Sequence, residues 1–327
     1  MNAVPLVDLS VQHTQIAEEV HSGFEEVLAA GDFIGGKAVT AFEQEYAEFV
    51  GARFCVGVGN GTDALEMCLR AVGVGPGDEV VLPANTFIAT AEAVVRAGAR
   101  PVFVDVDPDA LLLDPDKVEE AVTSRTRAVI PVDLFGQVAP FEQLPSSLAE
   151  RGLAVVEDGA QSQGATRFGR SAGTFGRLTA TSFYPGKNLG AYGDGGAVVT
   201  DDEDLAQHVR LMGAHGSPAK YIHDRFGFNS RLDTLQAVVL RAKLRRLPQW
   251  NEQRREAATR YDRLLADLPG VRLPTTLPGN VHVWHLYVVR VPRRDHVLRF
   301  LQSEGIGAGV HYPVPVHLTP AMARSSH

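Results

Sequence analysis

Cysteine is nearly absent from this 327-residue chain. Only Cys55 and Cys68 occur, neither in a C-x-x-C pattern, so no disulfide framework and no zinc site is signalled. Basic residues are not in excess either. The formal net charge of -8 argues against general binding to nucleic acid or anionic membranes, although it leaves room for a local basic pocket. No apolar run approaches the roughly 20 residues needed to cross a bilayer. The opening "MNAVPLVDLSVQH" lacks the basic start and apolar stretch of a signal peptide, so a soluble cytoplasmic protein is the expectation. There is no internal repeat and no low-complexity tract. Two nucleotide-binding fingerprints are missing as well. No G-x-G-x-x-G opens a helix, and the "GK" at 186–187 is not a P-loop, because Thr181 and Asn188 stand where Gly and Ser or Thr are required.

What the chain does have is an ordinary globular balance, 45% hydrophobic and 21% charged, at a length that suggests a large core and two domains. Short β-branched runs predict strands at 54–58, 79–83, 101–106, 127–132, 153–158, 179–184 and 195–200. Several are apolar almost throughout, as strands buried on both faces are. Helical patterns at 62–72, 88–98 and near 141–151 alternate with them, which implies a mostly parallel sheet wrapped by helices. Ligands of such sheets bind beyond the carboxyl ends of the strands. After residue 230 the texture changes. A helix is expected with Leu232, Leu235, Val238, Val239 and Ala242 on one face, then a second helix beyond Pro248. A strand over 281–291, a helix over 295–305 and a closing loop or strand complete a smaller α+β domain. The expected division is a large domain over 1–240 and a small one over 241–327. The basic run Arg241, Lys243, Arg245, Arg246, Arg254 and Arg255 is expected to be a solvated helix surface rather than a phosphate-binding face.

Three features carry chemistry. "GNGTDAL" (59–65) joins the first strand to a helix whose free N–H groups and positive dipole end suit a phosphate, with Thr62 adding a hydroxyl. A plain Thr N-cap on a tight turn would look the same. "VVEDGAQ" (155–161) sets Asp158 at the carboxyl end of an apolar strand, where it could hold a protonated ligand nitrogen or simply cap a loop; Glu157, by the period of two, points to the other face. "SFYPGKN" (182–188) presents Lys187 after a stiff Tyr-Pro-Gly approach and before a glycine-rich run. "GRSAG" (169–173) matches G-x-S-x-G, but no strand and helix flank it, so Ser171 is set aside. "VDVDPD" (104–109) suggests a strand end and turn more than a metal site. Phosphate cradle, acid and lysine together are what pyridoxal 5'-phosphate (PLP) asks for: a grip on its phosphate, a carboxylate on its pyridine nitrogen, and an amine for its aldehyde.

This ordering resembles the nucleotide-sugar aminotransferases of the DegT/DnrJ/StrS group, fold-type I PLP enzymes. The resemblance runs from "DFIGGKAVTAFEQEYAEFVGA" (32–52) through "PANTFIATAEAV", "TSFYPGKNLGAYGDGGAVVT" and "FGFNSRLDTLQAVVL" to "HYPVPVHL" (311–318), nearly the whole chain. It implies a large PLP domain with a mostly parallel central sheet plus a smaller C-terminal α+β domain. It implies Lys187 as the Schiff-base lysine and Asp158 on the pyridine nitrogen. Gln161 would lie near the ring hydroxyl, Gly61, Thr62 and Ser182 on the phosphate, and Phe87 stacked on the ring. Asn229 would reach the phosphate in the neighbouring subunit, which makes the enzyme a homodimer with shared sites. Tyr184, Lys220, His311 and Tyr312 would face the sugar nucleotide.

The implied reaction is ping-pong amination of a keto-sugar nucleotide through the Lys187 Schiff base, with L-glutamate as donor and no metal. Asp133 stands where the group commonly has His, which is expected to change polarity near the substrate. Gly159 stands for the usual Ala, expected only to loosen packing against the cofactor. Chains of the group continue past the region matching 311–318, so a small domain lacking its last elements is expected. The alternatives are a non-catalytic regulatory or scaffold protein on a PLP fold, and a PLP-dependent sugar dehydratase of the same group. The dehydratases carry His in place of the lysine, so Lys187 speaks against the second. An NAD-dependent sugar enzyme is weaker still, for want of the dinucleotide fingerprint.

Overall fold

The computed structural model describes residues 3–325. Two helices precede the first strand, α1 (Ser10–Ala30) and α2 (Lys37–Val50). In α2, Phe42, Tyr46, Ala47 and Val50 recur at helical spacing and bury one stripe, and Gly51 ends the helix at φ 80°, a left-handed conformation that glycine adopts without strain. Strand and helix then alternate: β1 (Phe54–Val58), α3 (Gly61–Ala71), β2 (Glu79–Pro83), α4 (Ile88–Arg96), β3 (Arg100–Val104), α5 (Pro115–Ala121), β4 (Thr126–Val129), α6 (Ser147–Glu150) and β5 (Ala154–Asp158). Two-residue strands β6 (Thr166–Arg167) and β7 (Arg170–Ser171) form a small hairpin, followed by β8 (Leu178–Ser182), β9 (Gly196–Thr200) and α7 (Glu203–Gly213).

The main sheet has the order β1-β9-β8-β5-β4-β2-β3. Six strands run in one direction and β9 alone runs against them, paired antiparallel to β1 and β8. Strands β2 and β9 are buried at every residue, which explains why their sequences are apolar rather than alternating. The main core, with Val58, Leu65, Leu69, Leu82, Ile130, Val156 and Val198, lies under α3 and α4. A second core joins Phe42, Tyr46, Phe183, Leu189, Val199 and Leu240 on the other side. The ends of β1, β2, β5 and β8 therefore deliver Asn60–Thr62, Thr86–Phe87, Asp158 and Ser182–Lys187 to one edge of the sheet.

The C-terminal part differs from expectation in three ways. Helix α8 (Thr234–Leu244) starts after Leu232 and is buried on more than one side, because α1 and α2 pack against it. Val239 and Ala242 meet Ile16 and Val20, while Ala237, Leu240 and Leu244 face the second core. It runs through the expected junction at 240/241. Helix α9 (Leu247–Leu265) accommodates Pro248 in its first turn, where the missing N–H costs nothing. The expected strand over 281–291 is not one. Only β10 (Asn280–Val281) pairs, with β6, and Arg290 makes an isolated bridge to Arg272. The alternation breaks at Trp284, whose φ of 48° turns the chain. The N–H groups of Val283 and Leu286 donate instead to Gly136 and Phe135. Helix α10 (Arg294–Ser303) matches expectation, and α11 (Pro320–Ser325) ends the described residues. The segment near 141–151 holds only a 3-10 turn (Phe141–Gln143) and the four-residue α6. No helix among the described residues is long and apolar enough to cross a membrane.

Candidate active site

A cavity of about 750 Å³ opens at the carboxyl edge of the sheet. Helix α3 points its N-terminus into it. Asn60 caps that helix by accepting from the Asp63 N–H at 2.8 Å, so the Gly61 and Thr62 N–H groups lie ahead of the capped position. Gly61 is required for a steric reason: a Cβ there would lie 2.5 Å from the Ser182 Cβ. Asp158, 4% exposed, is held from two sides. Thr90 Oγ1 donates to its Oδ2 at 2.8 Å, and the Ala160 N–H donates to its Oδ1 at 3.2 Å. Glu157 points the opposite way, as the period of two requires, and accepts from the Gly173, Phe175 and Gly176 N–H groups and from Thr179. The "GRSAG" segment is thus a loop tied to a buried carboxylate, and Ser171 closes β7 with no helix after it.

Lys187 lines the cavity, with its N–H donating to Tyr184 O at 2.8 Å in a tight turn. Burial pulls its ammonium down from 10.5 to about 8, against the pull of Asp158 in the other direction. Burial pushes the Asp158 carboxyl above its ordinary value, opposed by the Thr90 and Ala160 hydrogen bonds and by the charge of Lys187. Gln161 has both ends of its amide engaged: its Oε1 accepts from the Phe135 N–H at 2.7 Å, and its Nε2 donates to the Tyr312 hydroxyl at 3.1 Å. The Phe87 ring sits 5.9 Å from that of Tyr312 at the mouth. An arginine, Arg254, reaches the same cavity from α9. It donates to Trp284 O at 3.1 Å and has no carboxylate partner among the described residues.

Residues 14–327 match the DegT/DnrJ/EryC1/StrS aminotransferase family. This chain belongs to that family. Among its relatives is the dTDP-3-amino-3,4,6-trideoxy-alpha-D-glucose transaminase of Streptomyces venezuelae, 46% identical over 98% of this chain and 84% of the relative. A Geobacillus stearothermophilus protein named a pleiotropic regulatory protein is also 46% identical, over 98% of this chain and 87% of that one. The solved structure of S. venezuelae DesV in complex with a ketimine intermediate aligns with a TM-score of 0.97 at 45% identity, covering 100% of this chain and 88% of that one.

In this aminotransferase the cavity gathers Gly61, Thr62, Phe87, Asp158, Gln161, Ser182, Tyr184, Lys187, His311 and Tyr312. Asn229 and Lys220 lie outside it. Both are exposed: Asn229 accepts from Arg231 Nε at 3.1 Å, and the Lys220 ammonium lies over the Tyr221 ring. One expectation about departures from the group needs correction. Asp133 does not line the cavity; it is fully buried, accepting from the Ala139 N–H at 2.8 Å and Ser162 Oγ at 2.9 Å, so it cannot set polarity at the substrate. Burial and the nearby Glu157 push its carboxyl well up. At Gly159 an added Cβ would lie 3.1 Å from the Thr179 methyl, so the protein around it is closely packed. The basic run is not one solvated face either. Arg241 pairs with Glu45, Arg245 and Arg246 with Glu19, and Arg255 with Glu252, but Lys243 is buried and Arg254 lines the cavity. Residues the sequence reading missed are Thr90, Arg254 and His285.

Proposed function

We propose that this chain is a PLP-dependent aminotransferase that converts a keto-sugar nucleotide to an amino-sugar nucleotide, with L-glutamate as donor. The observation that carries the reading is the convergence of three unlike groups on one cavity: the α3 N-terminus with Thr62 and Ser182, the anchored carboxylate of Asp158, and the depressed lysine Lys187. These residues fit PLP. The Gly61 and Thr62 N–H groups with the Thr62 and Ser182 hydroxyls form an anion-type donor set. Asp158 is a carboxylate of fixed orientation for a protonated ring nitrogen, and Phe87 offers an aromatic face.

PLP, when bound, supplies a carbonyl carbon that accepts amino groups and a ring that draws electrons from the reacting carbon. Asp158 would keep the ring nitrogen protonated, and Thr90 and Ala160 keep Asp158 aimed. Lys187 Nζ, with a pKa of about 8, can both give and take a proton near neutral pH, as a shuttle must. Arg254, a cation with no acidic partner among the described residues, suits the diphosphate of a sugar nucleotide.

A homodimer with shared sites in the cytoplasm belongs to the same proposal. It is supported by the exposed 219–229 segment, where Tyr221, Ile222 and Phe226 stand apolar in solvent beside Asn229. The name of the Geobacillus relative favours a second reading, a regulatory protein on this fold, but the intact lysine and acid count against it. The separating experiment is a screen of dTDP- and UDP-linked keto sugars with glutamate and PLP-loaded protein, read by mass spectrometry. An amino-sugar nucleotide with matching 2-oxoglutarate supports the enzyme. A PLP-loaded protein that turns over none of them overturns it.

A further inference from the structure

His285 enters the cavity from the irregular segment that stands where a strand is expected, and its ring nitrogens are not equivalent. Nδ1 lies 3.3 Å from Asn188 Oδ1. Which of the two carries the hydrogen is decided by the rest of the network. Asn188 Nδ2 donates to the Val283 carbonyl at 2.9 Å and to Asn251 Oδ1 at 2.9 Å. Asn251 Nδ2 in turn donates to the Gln163 carbonyl at 2.9 Å. Carbonyl oxygens only accept, so both amides are fixed in orientation, and Asn188 turns its oxygen toward His285. The hydrogen of that contact must then sit on Nδ1. Asn188 and Asn251 are almost fully buried, so the polarity is set well away from solvent.

The other nitrogen faces the opposite way. Nε2 has no hydrogen-bond partner among the described residues and is not among their buried, unsatisfied atoms, so it opens on space, and the space His285 lines is the cavity. The charged and titratable groups facing the ring are Lys187, Arg254 and His311; together with burial they hold the imidazole well below its ordinary value and therefore neutral. Arg254 can only donate, and on the reading above Lys187 and Asp158 are both committed to PLP. A neutral acceptor in such surroundings is fitted to a hydroxyl.

We propose that His285 contacts substrate: Asn188 locks it as the Nδ1–H tautomer, and its bare Nε2 accepts a hydrogen bond from a hydroxyl of the sugar. This rests on the nucleotide-sugar reading above. The test is long-range proton–nitrogen NMR on histidine-labelled, PLP-loaded protein, with the His285 signals identified by their loss in His285→Asn. Asn at 285 can still donate to Asn188 but has no acceptor in the place of Nε2. Nδ1 is expected to carry the protonated-type shift and Nε2 the unprotonated type, unchanged from about pH 6 to about pH 8. On adding dTDP-glucose or UDP-glucose, Nε2 should move saturably, and with dTDP or UDP alone it should not. In turnover, His285→Asn should raise KM for the sugar nucleotide about 3- to 10-fold and leave KM for the amino donor unchanged. An Nε2–H tautomer, or titration near the ordinary histidine value, overturns the inference. So does a nucleotide sugar that binds, by shifts at other cavity residues, without moving Nε2; that result leaves the nucleotide-sugar reading intact. Binding of neither sugar overturns both.

Discussion

Thr90→Val isolates the support of Asp158. Thr90 is 1% exposed, and its hydroxyl hydrogen goes to Asp158 Oδ2 at 2.8 Å. Thr86 Oγ1, at 2.7 Å from Thr90 Oγ1, must therefore be the donor of that second contact. Valine has the shape of threonine, so no cavity forms and the loss is purely polar. A hydrogen bond to a charged acceptor contributes about 1.5–3 kcal/mol, and the buried Thr86 hydroxyl also loses its acceptor. The loss should depend on pH. The Asp158 pKa is already raised in the folded protein, and the Thr90 hydrogen bond is the strongest influence holding it down. A raised folded pKa penalises folding fully above that pKa and not at all below the unfolded value of 3.8. Removing Thr90 deepens the penalty, so the deficit should be greatest near neutral pH and shrink toward about pH 4. Urea unfolding of the cofactor-free protein measures it. In an Asp158→Asn background the acceptor is neutral, and the same change should cost only about 0.5–1.5 kcal/mol. An equal loss at both pH values and in both backgrounds would refute the reasoning.

Three further outcomes follow from other contacts. Lys243→Met should stabilise the protein near pH 7: the residue is 1% exposed and its amine is pulled from 10.5 to about 8, a penalty of about 3 kcal/mol, less about 1 for its contact with the Tyr192 ring. Because the folded pKa is the lower one, that penalty is full below about 8 and gone above 10.5, so the gain should vanish in alkaline urea titrations; no gain at pH 7 contradicts it. Asp158→Asn should retain PLP yet lose about 10- to 150-fold in turnover, and near-normal rates would mean that another group faces the ring nitrogen. Lys187→Ala and Asn229→Ala, each crippled alone, should regain activity when their subunits exchange, because one site of the mixed dimer is then wild-type; exchange proven by pull-down without recovery excludes shared sites.

The sheet and the core of the site were legible because each left a local signature. Strands 79–83 and 196–200 are buried at every residue and largely apolar, while Thr62 and Lys187 lie shortly past the ends of β1 and β8 and Asp158 is the last residue of β5. His285, Arg254 and Thr90 were not legible, for a common reason: their roles are fixed by partners far away in sequence. The run at 281–291 alternates as a strand would, but its hydrogen bonds go to the 135–136 turn, and only that docking swings His285 to the cavity. Arg254 and Lys243 sit in a basic helical run that looks solvated until other segments cover parts of it. Thr90 is an unremarked threonine in α4 until the end of β5 arrives beside it. Asn188 was visible only as a residue that spoils a P-loop, whereas its amide orients a histidine 97 positions away.

The central claim is that Lys187 is the amine that PLP engages. Borohydride reduction of the PLP-loaded protein, followed by proteolysis and peptide mapping, tests it directly. The account predicts a pyridoxyl group on the peptide containing Lys187 and loss of the visible chromophore in Lys187→Ala. Label on another lysine, or PLP-loaded protein with no chromophore to reduce, would contradict it.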